Sequence, residues 1–504
     1  MDQTTVSGIE SSKRVAFNMI CSAAAHGLSA GIAFVITPFL VARVGLEAYG
    51  FYPIAAELSA FFGLFCGVVN STASRYITVE DARGNPHEAR RYFSGVFFAN
   101  VLLCLILLLP MGLFVAFTDR ILSVPEGMVG ELRIFFSLVL ATVPINALAS
   151  AFGSAYSVSN RLDLRSAQDF IVVLLKAAVL FGLLGGGFSS SIISIGVAML
   201  ISTVTGAVIQ ILMCRRLCPE LHPSLHDVSL AHFRRVAVSG FWYTLDRLGA
   251  FLMTGGLLLV SNMLFTAEGV GVYSVSVTAT RALSGVLLML SGVFLPVTAK
   301  RFARGENDRL RKDVIRDQKV TGFFAAIGVA FAIGFCDEFF VLWLENDSLL
   351  LRTLTVVSLI PVVAIATALP LVNLGVVMNR MRRLSLMFVG GSLLTLATVI
   401  LVSCFTRAGV LGVAIISALA QLLWYTVAVP LFASRILKIP MGELLVPMMR
   451  TFAACGLSVA LIFLVKTVSP VDSWTRLIII GGACLVVSLV FGFLCVFGKP
   501  KFKI

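Results

Sequence analysis

Six ionisable side chains stand inside long apolar runs: His26, Glu57, Lys176, Asp246, Arg247 and Arg281. Placing a charge at the centre of a membrane-spanning helix costs about 2.5–3.5 kcal/mol, so such a residue ordinarily faces a partner or a water-filled cavity. The set holds three bases and two acids plus a titratable imidazole, a balance that suits an anion better than a cation. Phosphate or diphosphate recognition in a low-dielectric cavity calls for Arg and Lys, and an acid beside them can carry or exchange a coupling ion, H+ or Na+. Arg247, Lys176, His26 and Asp246 are therefore the expected substrate-binding residues, with Arg247 and Lys176 the cations nearest mid-depth. Each has a plain structural alternative: a charge satisfied by its neighbours, a snorkelling lysine, a buried neutral imidazole. Asp246 and Arg247 are adjacent and project about 100° apart on a helix, so they cannot stack as an i,i+4 pair.

These residues need membrane helices to hold them. Of 504 residues, 58% are hydrophobic and 13% charged, far from the balance of a soluble domain. Mean hydropathy is +0.98. Apolar runs of about 20 residues predict an all-α polytopic membrane protein. Fourteen spans are expected, starting near residues 15, 48, 93, 134, 168, 190, 236, 271, 320, 351, 385, 410, 449 and 476. The net charge of +13 follows topology rather than forming a nucleic-acid patch: with the N-terminus inside, 29 of the 39 Lys and Arg fall in cytoplasmic segments and 7 on the opposite face. That excess places both termini in the cytoplasm. Lys13 and Arg14 precede an apolar run to Val41, too long for the core of a cleavable signal, so the first span serves as its own insertion signal.

Two halves superimpose at a shift of about 220 residues, the weak symmetry of many transporter folds. LEAYGFY, from Leu46, lies over AEGVGVY, from Ala267; Asn160-Arg161 lies over Asn379-Arg380; Gly196-Val-Ala lies over Gly412-Val-Ala. His26 aligns with Arg247, which suggests a shared pseudosymmetric cavity. Each half is six spans and enters from the same side, so the repeat is parallel. The expected partition is an N-terminal six-helix bundle over 1–217, a cytoplasmic linker over 218–235, a C-terminal six-helix bundle over 236–440, and two further spans over 441–504.

The linker carries His222, His226 and His232, whose spacings of four and six fit no common metal-ligand pattern. It reads as a solvated connection. The other long cytoplasmic loop, from Lys300 to Lys319, mixes eight bases with four acids and reads as an interfacial helix and topology anchor. The ten cysteines are scattered without paired spacing and read as small apolar residues. No GxxxxGK[ST], HExxH or GxSxG motif occurs, so no nucleotide, metal or other cofactor is expected.

ITPFLVARVGLEAYGFY, WYTLDRLGAFL and EGVGVYSVSVTATRAL, on a fourteen-span plan, resemble the polysaccharide (Wzx-like) flippases of the multidrug/oligosaccharidyl-lipid/polysaccharide exporter superfamily. The resemblance implies two six-helix bundles around a central cavity. It further implies alternating access that moves a polyprenyl-diphosphate-linked oligosaccharide across the cytoplasmic (inner) membrane for surface polysaccharide synthesis. Membrane lipids and glycan polymerase machinery are the partners it suggests. It also makes Glu57 and Arg281 a gate or coupling pair, since the repeat register puts them within about one turn of the same depth in spans two and eight. Two alternatives stand beside it. A cation-coupled multidrug exporter of the same fold would favour twelve spans and an acidic cavity. A membrane glycan polymerase or ligase would carry a large extracytoplasmic loop, whereas the longest here runs only from Thr118 to Arg133.

Overall fold

A computed structural model describes residues 34–498, apart from 126, 186–191, 229, 293, 295–297, 300, 303, 346, 379 and 407, together with positions 27, 31 and 32. Among the described residues the protein is all-helical, with no strand. A short apolar helix, α1 (Phe34–Val44), precedes α2 (Leu46–Ala82), α3 (Pro86–Ala116), α4 (Val129–Val158), α5 (Leu162–Gly185) and α6 (Ile193–Leu217). The next span is α7 (Leu230–Met253) continued by α8 (Gly255–Leu264), and α9 (Ala267–Gly292) follows. Then come α10 (Asn307–Gly334), α11 (Cys336–Leu344), α12 (Leu349–Val377), α13 (Met381–Phe405), α14 (Gly409–Leu437), α15 (Met441–Val468) and α16 (Trp474–Phe497). Among the described residues twelve helices are long and apolar enough to cross a membrane, or thirteen if the pair α10 and α11, bent by 65°, is one span. The first of the fourteen expected spans begins in residues outside those described, so the count of fourteen is not established.

In hydrocarbon every polar group must find its partner within the protein. Many of the Ser and Thr in these helices do so by donating to the carbonyl four residues back, as Thr278 does to Ser274, Thr355 to Leu351 and Thr451 to Pro447. Prolines lie inside α2, α3, α12 and α15 (Pro53, Pro110, Pro361, Pro370 and Pro447), a use that membrane helices tolerate.

The chain forms two compact units, Met1–Phe251 and Leu252–Ile504. In the first, α2 packs on α3 and α4, and α6 on α4 and α5. A core of Val69, Ala73, Ile77, Tyr92 and Phe93 extends to Val236 at the start of the span in α7. In the second, α10 is the central helix, packed on α12, α15 and α16. It passes α15 closely because Gly322 and Gly334 face it. A Cβ on Gly322 would overlap Thr451 and approach Thr367 Cγ2 to 2.7 Å, and one on Gly334 would come within 2.7 Å of Ile462 Cγ2. Small residues at such crossings are the usual means by which membrane helices gain packing contacts.

The bend between α10 and α11 is secured by Lys466 of α15. Its ammonium donates to Gly334 O at 3.0 Å and lies 2.7 Å from Glu338 Oε1, so the carbonyl freed by the bend and the acid beside it share one cation.

One loop expectation changes. The segment read as an interfacial helix is largely the first part of α10. Leu310 and Val314, one turn apart, are buried in the core with Leu437, Leu444 and Met448, and Arg311 Nε donates to Leu437 O at 2.8 Å. Its charges mask an apolar stripe that packs on α14 and α15. The linker read as solvated is mostly exposed among the described residues, with Leu221 and Asp227 buried as its two anchors.

Candidate functional site

Gly45 takes φ +83°, a conformation open to glycine, and turns the chain from α1 into α2. The next turns of α2 carry Tyr49, fully buried, and Tyr52, whose ring centroid lies 6.1 Å from that of Tyr49. Tyr52 meets Lys176 of α5, whose Nζ is 3.5 Å from the phenol oxygen. Lys176 lies nine residues before the end of α5 and Tyr52 six residues after the start of α2, about 14 and 9 Å along their axes. Both therefore belong to the same end of the unit. Among the described residues no carboxylate pairs with Lys176. Among the described residues this half-buried ammonium is thus held by a neutral phenol alone, which leaves its charge for another group.

Glu57 lies one and a half turns further along α2 and is buried, at 7% exposure. Five residues separate it from Tyr52, about 140° around the helix, so the two point to different sides of α2. Asp246 and Arg247 sit on α7, where Asp246 is half-buried and Arg247 exposed. This helix lies along α2: Phe251 meets Phe61 with centroids 5.1 Å apart, and Thr244 Oγ1 is 3.6 Å from where a Cβ on Gly67 would stand. The unit boundary at Phe251 and Leu252 therefore leaves Asp246 and Arg247 with the first unit. Arg281 of α9 is exposed. His26 lies outside the described residues. The structure thus joins Lys176 to Tyr52 and separates the five described charges by exposure rather than burying them all.

Sequence reasoning from charge alone overlooked three neutral groups. Tyr52 is the partner of Lys176. Ser59 Oγ of α2 and Thr244 Oγ1 of α7 are buried with no hydrogen-bond partner among the described residues, and orphaned buried hydroxyls in an apolar span call for a partner. Hydropathy weighs none of them. The repeated Tyr in LEAYGFY and AEGVGVY was the one signal that could have drawn attention to this end of α2.

The linker folds back onto α3. Arg90 Nε donates to Asp227 Oδ2 at 2.7 Å, Arg90 Nη1 is 3.3 Å from His222 Nε2, and His87 Nε2 is 3.7 Å from Asp227 Oδ1. Ser224 N donates to Ser94 Oγ at 3.1 Å. The Arg90 guanidinium holds the Asp227 carboxyl below the usual carboxylate range. Two of the linker histidines therefore take different surroundings, His222 against Arg90 and His226 exposed. No cluster of three or more His, Cys, Asp or Glu suited to a metal occurs among the described residues.

Comparison with known proteins agrees with this architecture. The family profile described as "Polysaccharide biosynthesis protein" matches residues 15–302, more than half of the chain. A curated relative, the "Uncharacterized membrane protein EpsK" of Bacillus subtilis (strain 168), is 23% identical over 488 residues, covering 96% of each chain. Among solved structures, the lipid II flippase MurJ in an inward closed conformation superimposes with TM-score 0.66 at 13% identity, over 97% of this chain and 100% of that one. A multidrug resistance MATE family transporter of the MOP superfamily, inward-facing, superimposes with TM-score 0.62 at 14% identity, over 84% of this chain and 97% of that one. At these identities the likeness is one of fold.

Proposed function

The chain belongs to the polysaccharide biosynthesis protein family, and from that membership we propose that it is a flippase that carries a polyprenyl-diphosphate-linked oligosaccharide across the cytoplasmic membrane. The chain is a multi-pass membrane protein with the fold of MOP-superfamily transporters. In this proposal both termini are cytoplasmic, the repeat corresponds to two six-helix bundles, and H+ or Na+ supplies the coupling.

The observation that carries the reading is Lys176. An ammonium within an apolar span, held by the Tyr52 hydroxyl and paired with no carboxylate among the described residues, is suited to a diphosphate and ill suited to a cationic drug. Arg247 and Asp246, one helix away in the same unit, would complete recognition, Arg247 through its bidentate fork. His26 joins this set by repeat register. Glu57, buried, and Arg281, exposed, take the gate or coupling role, in which neutralising the acid by a bound cation would release the gate.

Translocation of lipid-linked oligosaccharide into everted membrane vesicles tests the whole reading. Lys176→Ala and Arg247→Ala should each abolish translocation while the protein remains folded, and Arg247→Lys should restore it in part. The single changes Glu57→Arg and Arg281→Glu should each impair translocation, and the double swap should recover much of it. Normal translocation by both alanine variants at native expression would refute the site. Drug efflux without glycan-lipid movement would favour the exporter alternative, and glycan polymer formation by the purified chain would favour the enzyme.

A further inference from the structure

The turn between α12 and α13 and the last turns of α14 enclose a cavity of about 630 Å³ lined by four arginines, Arg380, Arg382, Arg383 and Arg435, beside apolar groups that include Met387 and Phe432. We propose that this cavity is a binding site for the phosphate-bearing headgroup of an anionic lipid in the cytoplasmic leaflet. It lies wholly in the second unit, apart from the intramembrane charges, and does not depend on what those charges carry.

Three observations carry the proposal. First, among the described residues no carboxylate pairs with Arg380, Arg383 or Arg435. Basic residues that only set topology have no reason to converge, because like charges in one cavity repel unless an anion lies between them. Several guanidinium forks directed into one space are the usual solution for a phosphate group.

Second, the repeat register supplies an internal control. NRLDLR, from Asn160, lies over NRMRRL, from Asn379. In the first unit Arg161 is neutralised within its own turn: Nε lies 3.1 Å from Asp163 Oδ1 and Nη2 lies 3.1 Å from Asp163 Oδ2. Under that register Arg382 occupies the position of Asp163, so the second turn has a third base where the first has its acid.

Third, the helix wall is locally reshaped. Residues Trp424–Ala428 of α14 form a π-turn in which Val429 N donates to Trp424 O, and Ala428 of this turn lines the cavity. Such wide turns within α-helices recur at functional sites. Pro430 has no amide to offer the carbonyl four residues back, which favours the wider turn. The apolar side of the cavity continues onto lipid-facing surface: Met387 and Leu386 are each 50% exposed. A headgroup attached to acyl chains has a path in, and the positive-inside assignment puts this end of the unit at the leaflet whose anionic surface attracts Arg.

The test uses the full-length protein purified in neutral detergent, with dioleoyl phosphatidate, dioleoyl phosphatidylcholine and sodium pyrophosphate as probes and native mass spectrometry as the readout. Phosphatidate should bind at least about tenfold more tightly than phosphatidylcholine. The variant Arg383→Gln with Arg435→Gln should lose that preference. In the wild-type protein, phosphatidate but not phosphatidylcholine should protect Arg383 and Arg435 from modification by phenylglyoxal, a readout that does not require a variant to fold. Retention of the preference by the double variant, or absence of protection in the wild type, would overturn the site. Equal protection by pyrophosphate alone would overturn the lipid as occupant and leave a free-phosphate site. None of these measurements reads translocation, so failure here and failure of the flippase reading are separate results.

Discussion

The turns that follow Asn160 and Asn379 occupy the same place in the two halves of the repeat yet handle charge in opposite ways. In the first, Asp163 neutralises Arg161 through three hydrogen bonds. In the second, Arg380, Arg382 and Arg383 are joined by Arg435 in one cavity. Under the positive-inside assignment proposed above both turns meet the same demand for positive charge, so that demand does not account for their difference. A base with an acid in reach completes the fold, whereas Arg380, Arg383 and Arg435, which pair with no carboxylate among the described residues, leave their charge for something the fold does not contain. Lys466 is the strongest case of the first kind, since it and Glu338 are each only 14% exposed.

This rule is most exposed to failure at Lys466. Lys466→Met should cost up to about 3 kcal/mol, because it leaves the half-buried Glu338 carboxylate unpaired. Lys466→Met with Glu338→Leu should regain most of that loss in a detergent thermal melt. If the single variant melts like the wild type, paired bases here are not structural.

Exchanging the turns gives a smaller effect and sharpens the contrast. Arg382→Asp places in the second turn the acid found in the first, and should lower phosphatidate affinity by about tenfold or more. Asp163→Asn frees Arg161 but creates no cavity. It should therefore leave both stability and lipid preference nearly unchanged, because a half-exposed pair contributes little. A strong phosphatidate preference gained by Asp163→Asn would show that bare turn charge suffices and would dissolve the contrast.

The smallest effect lies in the linker. Asp227 is held below its ordinary pKa by Arg90, so its contribution is complete above the unfolded carboxyl value near about 4 and is lost as pH falls through the depressed value. Hydrogen exchange over residues 218–228 should be faster in Arg90→Gln than in wild type at neutral pH. The two should converge in acid. A difference that persists at the acid limit would mean that the Arg90–Asp227 pair does not hold the linker.

Hydropathy disclosed most of the fold, and the reason is physical: spans must be apolar over their whole length, so the runs expected near residues 48, 134, 351 and 449 appear as helices from Leu46, Val129, Leu349 and Met441. Breaks were invisible because the residues on either side of them are apolar. The interruption at Thr254, between α7 and α8, stands between Phe251-Leu252-Met253 and Leu257-Leu258-Leu259, and the 65° bend after Gly334 depends on Lys466, more than a hundred residues away in the chain. At the site, charge singled out Lys176 and Glu57, but the Tyr52 partner is neutral and its contact needs two helices to meet. The four arginines were all legible as bases and were counted toward topology, since a sequence gives number and side but not direction.

The π-turn of α14 has one more consequence, for the bookkeeping of residues along that helix. A wide turn holds one residue more than an α-turn, so it absorbs a single surplus position and leaves the segments before and after it in phase with their neighbours. Deleting one residue between Trp424 and Ala428 should therefore keep Ser417 and Arg435 on their present sides of the helix. The deletion would return a carbonyl to the ring of Pro430, and α14 would kink there. In this helix, length and phase are independent of one another.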